Sequence, residues 1–426
     1  MKLFTSLVAT SLLLSCSGDY KSADSKNINP LPESIQATTP DVLSTMMKLH
    51  ELAYPKWFTA PIEDSTNNYW WYMTKIDIGS DGDDDFIMFR GIDSHTLKER
   101  LNGNMLVFEN HDNNSFTMHE TEHKVFSHNR EIVDVNNDGL EDILLHDHGY
   151  DQLPWGTDTH HLLIQNSDGT FTDRSQDIPN RQTRWHGITA IDIERDGDID
   201  FISSGLGDGI FAYINDGAGK FTENTSVLPR ESFWLDQGWY DSFISLSAVD
   251  LNNDGYDEII GGNLADGVIL RNQSGTFTFD NVTDRFSKGD FNQYGWVING
   301  IKHADLDNDG CEDVVMVWTG NPIEAQIKIF KGNCDGTLVE TYTLPMQHDR
   351  GGVSPELLFQ DIDRNGLLDI AGGYGSAIVP VIYNFGNHNY SSNTHEMKFC
   401  MSEWEFWNLD IYTALMFYWM SYDGYC

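Results

Sequence analysis

Short apolar runs alternate with polar loops along most of this chain. Ile188–Ile191 is followed ten residues later by Phe201–Ile202, and Ser247–Val249 is followed in the same way by Ile259–Ile260. These runs are too short for helices and are rich in β-branched residues, so they predict a strand, a loop and a second strand. A second predicted hairpin follows each pair, beginning for example with Leu162–Ile164.

The loops inside the first hairpins share a nine-residue pattern. Acids or amides stand at positions one, three, five and nine, and a glycine stands at position six, as in Asp305–Asp313. We number the six copies loop one to loop six. Their candidate ligand side chains are Asp77, Asp81 and Asp85; Asp134, Asn136, Asp138 and Asp142; Asp192, Glu194, Asp196 and Asp200; Asp250, Asn252, Asp254 and Glu258; Asp305, Asp307, Asp309 and Asp313; Asp361, Asp363, Asn365 and Asp369.

The loops recur at an almost constant distance. Their first acids are 57, 58, 58, 55 and 56 residues apart, which marks an internal repeat. Each repeat contains two predicted hairpins and therefore four strands. An all-β fold with more than three such repeats predicts a β-propeller in which each repeat forms one blade.

The loop pattern predicts a bound cation. Alternation places the acids at positions one, three and five on one side of a tight turn, and the glycine allows the chain to reverse behind them. At an effective dielectric of about 20, two like charges about 4 Å apart repel by about 4 kcal/mol. An all-oxygen ligand set of this size favours Ca²⁺ over Zn²⁺, and closure at position nine differs from the longer EF-hand loop.

These motifs resemble the FG-GAP/VCBS repeat family, whose seven-bladed relatives include the head of integrin α chains. The resemblance covers roughly residues 65 to 385. It implies calcium at about six sites, in loops that join the first two strands of each blade on one side of the ring, the lower face. It also favours seven blades over six, with the six loops in six of them. Gly79 removes one ligand from loop one, whereas Glu258 and Asn365 retain ligand oxygens.

The N-terminal residues of the chain predict export. Residues 1–15 have a lysine followed by an apolar run, as in a signal peptide, and Leu13–Cys16 resembles a lipobox with Cys16 as the lipidated residue. An ordinary cleaved signal is the alternative. We expect residues 16–44 to form a flexible tether, residues 45–390 the propeller, and residues 391–426 an aromatic-rich tail of uncertain structure. The expected location is the outer membrane or the cell surface of a bacterium.

The net charge of −40 narrows the class of partner. The six loops hold 26 of the 66 acidic residues, so much of the charge belongs to the predicted metal sites. The remainder argues against binding to nucleic acid or to anionic lipid, and leaves a lipid anchor as the only predicted membrane contact. In a four-stranded meander, Cys311 and Cys334 lie in turns on the same face, so a disulfide between them would fit. Two free thiols are the alternative.

The opposite, upper face is the predicted ligand-binding surface. Aromatic residues precede several innermost strands, where they could stack on sugar rings or hold a peptide. The candidates are Trp71, Trp185, His186, Trp239, Tyr240 and Trp296. The alternative is that each tryptophan packs between blades.

Catalysis has little support in the sequence. There is no Gly-x-Ser-x-Gly elbow, Walker A loop or His-Glu-x-x-His motif, and most carboxylate pairs lie inside the loops. His146, His148, His160 and His161 match no zinc signature. We therefore predict a binding or adhesion module for a carbohydrate or protein ligand. The alternatives are a carbohydrate-active enzyme that uses upper-face acids such as Asp236 or Asp241, or a purely structural scaffold.

Overall fold

The computed structural model describes residues 67–94, 101–111, 115–125, 127, 129–147, 158–205, 208–229, 243–262, 267–279, 285–286, 297–320, 324–347, 357–372 and 378–396. These residues form six antiparallel sheets of four main strands each. Within these ranges no helix is long and apolar enough to span a lipid bilayer. The predicted signal peptide, Cys16, the tether and residues 397–426 lie outside the described residues.

The strands follow one another in chain order within each of the first three blades. Blade one contains β1 (Asn67–Ile76), β2 (Asp85–Ser94), β4 (Leu106–His111) and β5 (Ser115–Glu120), and the short β3 (Leu101–Asn102) also pairs with β2. Blade two contains β6 (Arg130–Val133), β7 (Asp142–His146), β8 (His160–Gln165) and β9 (Phe171–Asp173). Blade three contains β10 (Trp185–Ile191), β11 (Asp200–Gly205), β12 (Gly209–Asn215) and β13 (Phe221–Glu223).

The last three blades repeat this order. Blade four contains β14 (Ser245–Val249), β15 (Glu258–Gly262), β16 (Gly267–Asn272) and β17 (Phe277–Thr278), and β18 (Arg285–Phe286) pairs with β16. Blade five contains β19 (Val297–Ala304), β20 (Asp313–Gly320), β21 (Glu324–Gly332) and β22 (Leu338–Gln347). Blade six contains β23 (Leu357–Gln360), β24 (Asp369–Gly372), β25 (Ile378–Asn384) and β26 (Tyr390–Glu396).

The core lies between consecutive blades. Alternating side chains on each strand point to the two faces of the sheet, so both faces of an internal blade must be apolar. Ile87 and Phe89 of blade one pack with Ile143 and Leu145 of blade two, and four further clusters join the remaining blades in order. This face-to-face packing fixes the order of the blades around the ring.

The structure confirms an all-β propeller with four-stranded blades, but it corrects the number of blades. The described residues form six blades, and the expectation of seven is not supported. The start of the predicted propeller, residues 45–66, and the tail from residue 397 lie outside the described residues. Blade six also runs to Glu396, six residues beyond the boundary predicted at 390.

Candidate metal centres

Each nine-residue loop lies where the sequence predicts it, between the first and second strands of a blade. In blade three, β10 ends at Ile191, loop three begins at Asp192, and Asp200 at position nine is the first residue of β11. The same relation holds in all six blades. The loops therefore lie at one end of every sheet and share the lower face of the ring.

The six loops have one backbone conformation. The residue at position four has a positive φ of 53–60° in every copy, and the glycine at position six has a φ of 84–94°. Around Gly139 there is space for a Cβ atom, so its φ of +86° is what requires glycine there. Position four is never glycine, and its residues are Ser80, Asn137, Arg195, Asn253, Asn308 and Arg364.

The acid at position one organises the turn through its carboxylate. In loop two, the backbone N–H groups of Asp138 and Gly139 donate to Asp134 at 3.2 and 2.8 Å. The Asp138 carboxylate in turn accepts the N–H of Leu140 at 2.9 Å. Equivalent bonds occur in the other loops. The acids are thus aligned by the backbone, because each one satisfies donors that the turn would otherwise leave unpaired.

The acid at position nine has a structural role that the sequence analysis missed. Asp200 is 1% exposed, and its two oxygens accept the backbone N–H groups of Ile193 at 3.0 Å and Asn215 at 2.8 Å. The first donor is in the loop and the second ends β12, so this carboxylate joins the loop to the third strand. Asp85, Asp142, Asp313 and Asp369 make the same pair of bonds.

Burial changes the acidity of these position-nine groups. It raises the pKa of Asp85, Asp142, Asp313 and Asp369 to about 6, and the pKa of Asp200 and Glu258 to about 7. Hydrogen bonds from the backbone oppose this shift, and neighbouring loop acids add to it. A cation in the loop would favour the ionised form, because it replaces lost hydration with direct attraction.

In three loops, acidic oxygens converge closely enough to share one ion. Three carboxylates approach within 4.8 Å of one another in loop one (Asp77, Asp81, Asp85), loop five (Asp305, Asp307, Asp309) and loop six (Asp361, Asp363, Asp369). Loop one keeps this arrangement although Gly79 lacks a side chain. In the described part of loops two, three and four, three carboxylates do not come this close; Asn136 and Asn252 stand at position three in loops two and four.

The sequence of three of these loops matches a known family of repeats. Residues 134–203 and 194–261, which span loops two, three and four, both match the family model described as FG-GAP-like repeat. Residues 134–261 of the chain are therefore similar to FG-GAP-like repeats. A search of curated proteins gives no match to the sequence.

Three solved structures are similar to the chain at low scores. BBS1N, crystallised in complex with ARL6DN, is 14% identical with a TM-score of 0.36 over 63% of this chain and 68% of BBS1N. The V. cholerae biofilm matrix protein Bap1 is 14% identical with a TM-score of 0.32 over 76% of this chain and 52% of Bap1, so the chain spans about half of Bap1. The endo-arabinase from Bacteroides thetaiotaomicron VPI-5482 is 11% identical with a TM-score of 0.29 over 74% of this chain and 89% of that enzyme. These similarities are too low to indicate a shared function.

Consecutive repeats are joined by the side chain at position four of loops one to five. Ser80 donates to the carbonyl oxygen of Gly139 at 2.7 Å, and Asn253 donates to that of Gly310 at 3.1 Å. The other bonds of this kind run from Asn137 to Asp198, from Arg195 to Asp254, and from Asn308 to Gly366. Every loop from one to five therefore contacts the next loop directly.

A second set of bonds joins the repeats below the core. The amide at the end of the third strand reaches the preceding repeat, as when Asn215 donates to the carbonyl oxygen of Val135 at 2.7 Å. Gln165, Asn272 and Asn384 act in the same way. Repeat five has Gly332 at this place, and the N–H of Gly336 donates to Leu251 instead, at 3.0 Å.

Repeat five also contains the disulfide. Cys311, at position seven of loop five, is bonded to Cys334 in the turn between β21 and β22. The structure thereby decides between the two possibilities that the sequence left open for these cysteines. The bond ties the loop to the turn that carries Gly336.

Trp185 is not at an exposed binding surface. Its side chain is fully buried between blades two and three, with ring centroids 4.1 Å from His160 and 5.7 Å from Phe211. Its indole N–H donates to the carbonyl oxygen of Asp158 at 2.9 Å. The packing alternative therefore holds for Trp185, and its neighbour His186 is only half-buried. Trp239, Tyr240, Trp296 and the side chain of Trp71 lie outside the described residues.

The buried histidines of blade two are neutral groups. His146 and His160 face each other on β7 and β8, are fully buried, and have ring nitrogens without a hydrogen-bond partner. Burial lowers the pKa of His146 to about 3 and that of His160 well below its usual value. Their ring centroids are 6.3 Å apart, and in the described part of the chain they do not form a group of three close metal ligands. His161, the next residue of β8, lies on the opposite face of the strand and is half-buried.

Proposed function

We propose that this protein is a calcium-stabilised binding or adhesion module of a bacterial envelope, with a carbohydrate or protein ligand. The observation that supports it best is the repetition of one acid-lined loop conformation in six blades on a single face of the ring. A propeller built from FG-GAP-like repeats suits binding rather than turnover, because a rigid ring presents fixed loops to a partner.

The donor chemistry of the loops fits calcium. Carboxylate and amide oxygens at positions one, three, five and nine are the ligands that Ca²⁺ prefers, and the side chains are already held by the turn. The ion would supply charge neutralisation for groups such as Asp361, Asp363 and Asp369, which converge within 4.8 Å. The loops in turn contact one another, so tightening one loop would restrain its neighbours.

The ligand would contact the upper face. Trp239, Tyr240 and Trp296 remain the candidate contacts there, and Trp185 is excluded by its burial. A lipid on Cys16 would hold the module at the membrane, with residues 16–44 as the tether.

Removing calcium should lower the melting temperature strongly. Extracellular calcium modules have dissociation constants of about 10⁻⁴ to 10⁻³ M, so ~10 mM calcium stabilises each filled loop by about 1.4 to 2.7 kcal/mol. Summed over several loops, this should raise Tm by about 10 °C or more relative to protein in EDTA. Differential scanning calorimetry measures the shift, and magnesium at the same concentration is the control. An identical melt in calcium and in EDTA would refute the calcium proposal.

A calcium-dependent hit on a glycan array or in an envelope pull-down should identify the ligand class. Trp239→Ala should weaken that hit about tenfold or more, because stacking on an aromatic ring is lost. Phe385→Ala is the matched control, since Phe385 is 52% exposed but lies in the turn between β25 and β26, at the loop end of blade six. Two empty assays would favour a scaffold, and turnover of a bound polysaccharide would favour the enzyme.

A further inference from the structure

Loop five already holds a cation that belongs to the protein. The Nζ atom of Lys331, near the end of β21, lies 2.5 Å from Oδ2 of Asp307 and 2.6 Å from Oδ2 of Asp309. These acids stand at positions three and five, where a metal ion would take its ligands. One ammonium group therefore bridges two of the predicted calcium ligands.

A second basic group reaches the same loop from the next blade. His388, in the turn between β25 and β26, places Nε2 at 2.7 Å from the same Oδ2 atom of Asp307. The hydroxyl of Tyr390 lies 3.3 Å from the other ring nitrogen. The side chains of Asp307 and His388 are only 13% and 12% exposed, so the contact is shielded from solvent.

This arrangement distinguishes loop five from the other loops. Among the ion pairs of the described residues, no other lysine, arginine or histidine contacts an acid at position one, three or five. The residues at the place of Lys331 in repeats one, two, three and six are Glu109, Ile164, Ile214 and Tyr383. Repeat four has Arg271 there, and its guanidinium lies against Gly336 of the next blade.

We propose that the Lys331 ammonium group occupies loop five in place of calcium, with His388 hydrogen-bonded to Asp307 beside it, so that this loop takes up no calcium while the other loops depend on it. This inference rests on the calcium proposal above. Ca²⁺ would have to displace an ammonium group bound to two of its ligands, and an imidazole nitrogen is a poor ligand for a hard cation. Loop five would then be held by an ion pair and by the Cys311–Cys334 bond, independently of calcium in the medium.

A competing occupant of the same place is a transition metal. His388, Asp307 and Asp313 bring one atom each within 4.8 Å of the others, and Oδ1 of Asp307 is buried without a hydrogen-bond partner. Zinc accepts nitrogen and oxygen ligands together. Zinc bound here would have to move Lys331 away from Asp307, so zinc binding and the proposed lysine contact exclude each other.

Calcium counting on the full chain tests the inference. After equilibrium dialysis and elemental analysis, Lys331→Gln should bind one more calcium ion per chain than the wild type. Lys75→Gln is the matched control, because Lys75 pairs with Asp84 at position eight and should leave the count unchanged. The additional ion should disappear in Lys331→Gln combined with Asp307→Asn. Equal, non-zero counts in Lys331→Gln and wild type would overturn this inference alone, and no calcium on any variant would overturn the calcium proposal with it.

A second pair of variants serves if Lys331→Gln does not fold. Asp309→Asn should leave the wild-type calcium count unchanged, whereas Asp196→Asn, at the same position of loop three, should remove one ion. Loss of one ion in Asp309→Asn would overturn the inference. Dialysis against zinc completes the test: a zinc ion that is bound by the wild type and lost in His388→Gln would also overturn it.

Discussion

Asp200→Ala should lower the free energy of unfolding by about 3 to 5 kcal/mol. The substitution removes both acceptors of two buried backbone N–H groups, those of Ile193 and Asn215, and each unpaired donor costs about 1 to 3 kcal/mol. Loss of a fully buried side chain adds a small cavity. Urea unfolding in EDTA measures the effect without a contribution from calcium.

The control for this substitution is in the same loop. Asp198 at position seven is half-buried and accepts one exposed hydrogen bond from Asn137, so Asp198→Ala should cost about 1 kcal/mol or less. The loss of stability in Asp200→Asn should lie between the losses in these two variants, because the amide retains one acceptor oxygen. Equal costs for Asp198→Ala and Asp200→Ala in EDTA would show that the position-nine carboxylate is not a structural link between the loop and the third strand.

Trp185→Ala should destabilise the fold by about 3 to 5 kcal/mol. The indole is completely buried between two blades, and large aromatic to alanine substitutions in cores cost this much through lost burial and the cavity left behind. The carbonyl oxygen of Asp158 would also lose one of its two donors and keep the backbone N–H of Thr183. Chemical unfolding followed by tyrosine fluorescence or circular dichroism measures the loss.

Trp185→Phe separates the two contributions. It keeps most of the apolar area but removes the N–H, so it should cost about 1 to 3 kcal/mol. Neither variant should reduce affinity for a ligand while the ring remains folded. A Trp185→Ala protein with wild-type stability and weakened ligand binding would contradict the buried position of this residue.

The repeat was predictable because its chemistry is local. Acids alternate within nine residues, and glycine occupies the one position with φ above 80° that all six loops share. The hairpin can therefore be predicted from the sequence alone. The number of blades was not predictable from the loop pattern, because closing the ring depends on contacts between segments far apart in sequence. The disulfide between Cys311 and Cys334 was only partly predictable. A four-stranded meander places the two cysteines in turns on the same face, and the structure shows that these turns are close enough for the bond.

The details of the candidate metal centres depend on packing that the loop pattern does not encode. The loop pattern predicted only a ligand role for the acid at position nine. Its structural role was not predictable, because one of its hydrogen bonds runs to a strand outside the loop. Lys331 lies 24 residues from Asp307, and His388 lies 81 residues from it. Trp185 illustrates the same limit, since an aromatic residue at the start of an innermost strand can face the core or the solvent. Only the register between β10 and β11 decides which.

The position-four hydrogen bonds have a further consequence for the lower face. Each of loops one to five donates to its successor, so the order one to six has a direction even though the blades are alike. Energetically such an array behaves as a one-dimensional lattice with nearest-neighbour coupling, not as six separate binding units. If the loops bind calcium as proposed, the occupancy of one loop would affect the adjacent loops first, and loop five, whose cation would be Lys331, would remain unchanged between loops four and six.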